Sequence, residues 1–246
     1  MDKHISAIVL AAGKGTRLKS KNLNKVTLPL GNKPMILHTI NLLDTLHVHP
    51  VVVVVGFAKE SVISALCDKP VVFAEQKEQL GVAHAVFTGL KKIPQEVASV
   101  LILNGDDSAF FPIETIKQLI EMHESAKASL TFLTIHMDKP LGLGRIVRED
   151  GKPVGIVEEI DANEKQRNIK EINAGCYVAN VSFLKKYLPK IKKSGVTLEY
   201  YLTDIVALAV KNNESVQALY EEKFLWRGIN TQKELEEAQR LFSQQK

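Results

Sequence analysis

Residues 5 to 18 read Ile5-Ser-Ala-Ile-Val-Leu10-Ala11-Ala12-Gly13-Lys14-Gly15-Thr16-Arg17-Leu18. The run from Ile5 to Leu10 is too apolar for a strand with one wet face, so it predicts a strand buried on both sides. Lys3 and His4 before it imitate the basic region of a leader peptide. Asp2 interrupts that region, and the stretch continues into basic residues rather than a cleavage site, so the expectation is a first strand and no leader. After the strand, small residues and two glycines let backbone N–H groups approach a phosphate chain closely. A tight turn after a strand uses the same residues, so the loop leaves both readings open.

Outward from this stretch, further apolar runs at Val51–Val55, Val71–Phe73, Ser99–Leu103 and Leu130–Ile135 alternate with helical patterns. The helical stretches are Met35–Leu46, Ser61–Leu66, Val82–Leu90 and Ile113–His123. Strand and helix in alternation predict an α/β fold: a Rossmann-like, mostly parallel sheet with helices on both faces. After residue 138 the pattern changes. Short strands around Arg145–Arg148 and Val154–Glu158 flank Asp150-Gly151, a hairpin signal. A polar segment, a strand at Ala174–Ala179, helices near Val181–Leu188 and Tyr200–Lys211, and a strand near Val216–Leu219 follow. No repeat or linker divides the 246 residues. The expectation is one domain, with residues 1–137 forming the alternating half, 138–230 carrying an inserted hairpin and helix region, and 231–246 a C-terminal helix over Thr231–Phe242.

Other classes fall away. No G-x-x-x-x-G-K-[ST] string occurs. Leu18 occupies the third small position of a dinucleotide fingerprint, and Pro29, Gly31 and Pro34 forbid a continuous helix after the loop. Net charge is +4, from 32 basic and 28 acidic residues, too mild for a dedicated nucleic-acid binder. The basic cluster Lys14, Arg17, Lys19, Lys21 and Lys25 has no interleaved aromatics on which bases could stack, which leaves a triphosphate at the sheet edge or a solvated loop. Runs such as Val51–Val55 are far below the roughly 18 residues of a membrane span. Cys67 and Cys176 show no metal or disulfide spacing and read as small core residues in a protein of the reducing cytoplasm. His47 and His49 lack a matching carboxylate cluster. Asp106, after Val100–Leu103, stands at a strand tip, where it starts a turn or holds a cation; Asn230, before a helix, reads as an N-cap.

The ordered series Leu10–Arg17 with Lys25, Glu78-Gln-Leu-Gly81 with His84-Ala85, Asn104-Gly105-Asp106, Gly144-Arg-Ile146, Gly155–Glu158, Glu171–Asn173 with Gly175, Glu199–Asp204 and Gly228-Ile-Asn230 resembles the nucleoside triphosphate:sugar-1-phosphate nucleotidyltransferases. Within that family it is most similar to the N-acetylglucosamine-1-phosphate uridylyltransferase type, and the resemblance spans nearly the whole chain. It implies a reaction in which a sugar 1-phosphate oxygen attacks the α-phosphorus of UTP and pyrophosphate leaves, with Mg²⁺ as cofactor and UDP-N-acetylglucosamine as product. The resemblance also allows another pair, such as glucose 1-phosphate with UTP or dTTP, or a binding protein without catalysis. It implies Arg17 and Lys25 as catalytic phosphate binders, and Leu10, Ala11, Ala12, Gly13, Gly15, Thr16, Gln76, Gly81 and Gly105 around the nucleotide. Gly144, Glu158, Asn173 and Glu199 would contact the sugar, and Asp106 and Asn230 the metal, which makes residues 1–137 mainly the nucleotide half and 138–230 mainly the sugar half. The implied partners are these small molecules, with no nucleic acid and no membrane. Val82-Ala83, Asn104 and Asp107-Ser108-Ala109 depart from the residues usual in the family. No hexapeptide repeats follow, so no acetyltransferase function is expected. The nucleophile is already an anion, so positioning and charge cancellation carry such a reaction, with little acid/base work.

Overall fold

A computed structural model of the chain describes residues 5–15, 22–106, 108–222 and 228–244, the last residue by its backbone alone. In chain order the elements are β1 (Ile5–Ala11), β2 (Pro29–Leu30), β3 (Lys33–Pro34), α1 (Met35–Thr45), β4 (Val51–Val55), α2 (Lys59–Ala65), β5 (Val71–Glu75), α3 (Val82–Leu90), β6 (Ser99–Asn104) and α4 (Ile113–Ser125). They continue with β7 (Leu130–His136), β8 (Arg145–Glu149), β9 (Lys152–Val157), α5 (Glu164–Arg167), β10 (Glu171–Asn180), α6 (Val181–Tyr187), α7 (Asp204–Lys211), β11 (Val216–Glu221) and α8 (Gln232–Gln244). The main sheet has the order β11-β7-β10-β6-β1-β4-β5. β1 pairs in parallel with β4 and β6, β4 with β5, and β11 with β7, while β10 runs antiparallel between β6 and β7. The α/β, mostly parallel fold anticipated from the alternation of runs is the one observed.

The period of two along each central strand divides its side chains between two cores. Ile8, Val52, Val54, Val100 and Ile102 pack with α3, α6 and α7. Ala7, Val9, Val51, Val53, Leu101 and Leu103 pack with α1, α2 and α4. A third cluster, Leu30, Met35, Phe110, Ile229, Leu235 and Ala238, seats α8 beside β2.

Several expectations need revision. The hairpin β8–β9 is appended as expected, but β10, which follows it, lies in the middle of the main sheet rather than in a peripheral insertion. β5 is an edge strand whose Val72 is exposed, because nothing covers its outer side among the described residues. The helix expected from Tyr200 begins only at Asp204; residues before it form a turn whose backbone bonds to Leu80 and Ala83 instead. Cys176 is buried as expected, but Cys67 is exposed, since α2 stops at Ala65 and Cys67 falls in the turn beyond.

Gly89 shows how tightly α3 is pressed onto the sheet. A Cβ there would lie 2.9 Å from methyl carbons of both Ile8 and Val54, two fully buried residues of adjacent strands. The close approach outweighs the helix propensity that glycine forfeits. Gly89→Val is expected to lower unfolding free energy by about 1–3 kcal/mol in urea titration, as overpacking does; an unchanged midpoint would show that the helix moves off the sheet freely.

Candidate active site

Register brings the loops together. Ala11 pairs with Val55 and Leu10 with Asn104, so Ala12–Gly15, Gly56-Phe57 and Gly105-Asp106 all leave the sheet at one edge, the C-terminal edge of its parallel strands. That is where α/β folds bind ligands. Gly105 N–H donates to Leu10 O at 3.0 Å and Phe57 N–H to Ala12 O at 3.1 Å, tying the three loops. Asn24 completes the tie. Its buried amide nitrogen donates to Ala11 O (2.9 Å), Phe57 O (2.8 Å) and, more weakly, Gly13 O (3.3 Å), while its Oδ1 accepts from Val26 N–H. Asn24 thereby caps the 3₁₀ turn Lys25–Thr27 and aims Lys25 at the strand edge. Gly13 faces open space, with nothing within 4 Å of where a Cβ would stand.

Lys25 Nζ forms an ion pair with Asp106 and donates to Asn230 Oδ1 at 3.1 Å. Both partners of the ion pair are largely buried, with side chains 16% and 11% exposed. Asn230 is not the cap of α8. Thr231 holds that position: its Oγ1 accepts from Glu234 N–H, and Glu234 in turn accepts from the backbone of Asn230 and Thr231. The reciprocal box leaves the Asn230 side chain for Lys25. One ammonium reaching both oxygens shows that Asp106 and Asn230 converge on a single cation position. Two hard oxygen donors and room for phosphate or water are what Mg²⁺ takes, so the residues fit that ion. Among the described residues no group of three His, Cys, Asp or Glu forms a fuller metal site, and His47 and His49 belong to none.

Two cavities meet at this cluster and share Lys25, Asn104, Asp106 and Asn230. The larger, about 450 Å³, runs along Leu10–Gly15 to Gln76 and Gly81; the smaller, about 250 Å³, is bounded by Gly144, Glu158, Asn173 and Gly175. Glu199, expected beside the sugar residues, lines the larger cavity next to Gly81. Thr16 and Arg17 lie outside the described residues. Gly81, at φ +105°, has Tyr200 backbone atoms 2.6 and 2.7 Å from its would-be Cβ, so the turn there admits only glycine. Tyr201 hydrogen-bonds Thr197 through its hydroxyl, and Tyr200 lies under the Lys193 ammonium.

In the smaller cavity, burial raises the Glu158 carboxyl above the ordinary glutamate range; a 2.8 Å hydrogen bond from Thr203 opposes that, while Asp204 and Asp161 add to it. Asn173 is fixed at both ends: Oδ1 accepts from Gly175 N–H at 3.0 Å, and Nδ2 donates to the Tyr177 hydroxyl at 2.6 Å. Burial pushes the Tyr177 phenol far up, keeping it neutral. Arg145, 1% exposed, bonds Leu143 O and Glu159 and so clamps the segment carrying Gly144 to that carrying Glu158. Asn24, Arg145, Tyr177 and Thr203 were not anticipated as builders of the site. Asn24 is an isolated polar residue among basic ones and carries no local signal; Arg145 and Thr203 lie within motifs but act through partners distant in sequence.

The nucleotidyl transferase family model matches residues 6–245, and the chain belongs to that family. Among curated relatives, the bifunctional protein GlmU of Acinetobacter baumannii strain AYE is 39% identical over 98% of this chain and 52% of its own length. GlmU of Exiguobacterium sibiricum is 44% identical over 86% of this chain and 47% of its own. The chain thus spans about half the length of the curated relatives it matches. Among solved structures, a UDP-glucose pyrophosphorylase complexed with UDP-glucose superposes with TM-score 0.82 at 18% identity, over 98% of this chain and 99% of that one. A putative glucose-1-phosphate thymidylyltransferase from Bacillus anthracis gives 0.80 at 23%, over 97% and 95%. These two share the fold.

The raised carboxyl of Glu158 carries a stability consequence. Its folded pKa exceeds its unfolded one, so the associated stability is fully present below the ordinary glutamate value and is lost as pH rises through the raised one. Glu158→Gln keeps an acceptor for Thr203 without the buried charge. The variant is expected to exceed the parent in unfolding free energy at pH 7, with the difference shrinking toward pH 4 in parallel urea titrations; equal stabilities at both pH values would show that Glu158 is well solvated.

Proposed function

We propose that this chain is a Mg²⁺-dependent uridylyltransferase that forms UDP-N-acetylglucosamine and pyrophosphate from UTP and N-acetylglucosamine 1-phosphate. The observation that carries the reading is the junction of two cavities at Lys25, Asp106 and Asn230, one cavity sized for a nucleotide and the other for a hexose phosphate. The ordered motifs and the 36–44% identity to GlmU proteins support it. The chain works as one domain. Residues up to about 137 serve mainly the nucleotide and residues 138–230 mainly the sugar. No helix among the described residues is long and apolar enough to cross a membrane, and both cysteines are free thiols, which suits the reducing cytoplasm.

In this reading the backbone of Leu10 to Gly15 follows the phosphate chain, with the N–H groups of Gly13 and Gly15 close to it and Gly105 beside the ribose and phosphates. Gln76 and Gly81 read the uracil edge. Gly144, Glu158 and Asn173 hold the sugar and its amide, a carboxylate and a carboxamide being suited to hydroxyl and N–H donors, while Glu199 stands on the nucleotide side beside Gly81. A magnesium ion held by Asp106 and Asn230 would lower the charge on the phosphates. Lys25 then has its ammonium beside the reacting phosphates; the role proposed for Arg17 is to bind the departing pyrophosphate and that for Thr16 to bind the nucleotide. The sugar phosphate oxygen forms a bond to the α-phosphorus as the α–β oxygen bridge breaks, and the electron pair leaves on pyrophosphate. No proton needs to move, so fixed positive charge is the main contribution the chain makes.

A pyrophosphate-release assay with four nucleoside triphosphates against N-acetylglucosamine 1-phosphate, glucose 1-phosphate and glucosamine 1-phosphate tests the reading. Release is expected only with both substrates, fastest for UTP with the N-acetylated sugar, and abolished by EDTA. Full turnover in chelator would remove the metal from the scheme; preference for dTTP with glucose 1-phosphate would reassign the substrates.

Asp106→Asn should lower turnover on the order of 10² to 10³-fold, the typical effect of losing one fixed electrostatic element of a site, while the thermal midpoint stays near that of the parent. Unfolding of the variant, with normal activity per folded molecule, would make Asp106 a structural partner of Lys25 only.

A further inference from the structure

A glutamine side chain presents two N–H donors on one side and one carbonyl oxygen on the other, and either orientation fills the same space. At Gln76 the surroundings choose between them. The side chain is 3% exposed at the far end of the larger cavity. Its Nε2 lies 3.1 Å from the carbonyl oxygen of Gly81, which can only accept, so the nitrogen occupies that side. The Gly81 carbonyl is itself held in place by the first backbone hydrogen bond of α3, from Ala85 N–H at 3.1 Å. The second amide hydrogen of Gln76 meets His84 Nδ1 at 3.0 Å. An acceptor is required there, so the imidazole carries its proton on Nε2. Both amide hydrogens are taken, and among the described residues nothing donates to Gln76 Oε1.

We propose that His84 is a positioning residue for base selection: through Nδ1 it holds Gln76 with its carbonyl oxygen toward the base, which favours a pyrimidine presenting an imino N–H over one presenting a lone pair at the same ring position. Uracil and thymine offer N3–H; cytosine in the same pose sets an acceptor against an acceptor. The inference rests on reading Gln76 as the base contact, and it adds that the selectivity comes from a residue that does not touch the base. His84 stands in the first turns of α3 and is only partly buried, so it has no packing role that would by itself account for a nitrogen at this point.

The test compares His84→Asn, whose Oδ1 takes the place of Nδ1 and still accepts, with His84→Leu, which removes the acceptor. The measured quantity is kcat/KM for UTP, dTTP and CTP with one sugar 1-phosphate. The parent and His84→Asn should keep the same ratio of the preferred imino nucleotide to CTP. His84→Leu should lower that ratio about three- to tenfold, the weight of one neutral hydrogen bond, with the change lying in KM. Independently, the ¹⁵N shifts of the His84 ring in the nucleotide-free protein should report the Nε2–H tautomer. An unchanged ratio in His84→Leu, or an Nδ1–H tautomer, overturns the proposal, and the tautomer decides even if the leucine variant fails to fold. A parent that prefers dTTP sinks the uridine reading but leaves this one standing on the dTTP to CTP ratio. A parent that prefers CTP sinks both.

Discussion

Three backbone carbonyls at the edge of the sheet, those of Ala11, Gly13 and Phe57, point at one buried amide nitrogen, that of Asn24. Loops that turn away from buried parallel strands cannot satisfy these oxygens within a ladder, and an unpaired buried carbonyl costs about 1–3 kcal/mol. A single short side chain with two donors answers that need and, by accepting from Val26, starts the turn that delivers Lys25. The shape of the glycine-rich loop and the position of the Lys25 ammonium therefore depend on the same residue, 1% exposed at the wall of the larger cavity.

The cluster of Lys25, Asp106 and Asn230 shows a second economy. A carboxylate buried at a strand tip needs a positive partner, and Lys25 supplies it. The capping box at Thr231 and Glu234 keeps Asn230 out of the helix end and in the cavity. The ion pair and the Asn230 hydrogen bond thus join the tip of β6 to the segment before α8 through one ammonium.

Around the smaller cavity the structure accepts destabilising features. Glu158 is held with its carboxyl raised by burial. Arg145 has its guanidinium buried and one of its nitrogens without a partner among the described residues. By contrast, Glu171 nearby is lowered: burial works against the charge, but the two-point hydrogen bond from Arg148 and the hydroxyl of Thr134 outweigh it. The difference between the two glutamates is the presence of a fixed cation.

The sequence by itself determined the α/β class, because strands buried on both faces must be largely apolar and β4 is so throughout, β1 apart from Ser6 and β6 between its terminal Ser99 and Asn104. It also determined the glycine-rich turn after β1, the hairpin at Asp150-Gly151 and the place of Asp106 at a strand tip, all local consequences of side-chain size and backbone freedom. It could not tell whether Asp106 only starts a turn, or whether Asn230 only caps a helix. Those choices were made by Lys25, 81 residues from one and 205 from the other. Tertiary structure alone also decided that β10 enters the middle of the sheet, that Asn24 ties the loops, and that Gln76 and Asn173 each present a defined amide orientation. Periodicity reports which face of an element is apolar, whereas these outcomes are hydrogen bonds between residues far apart in the chain, and only folding sets their geometry.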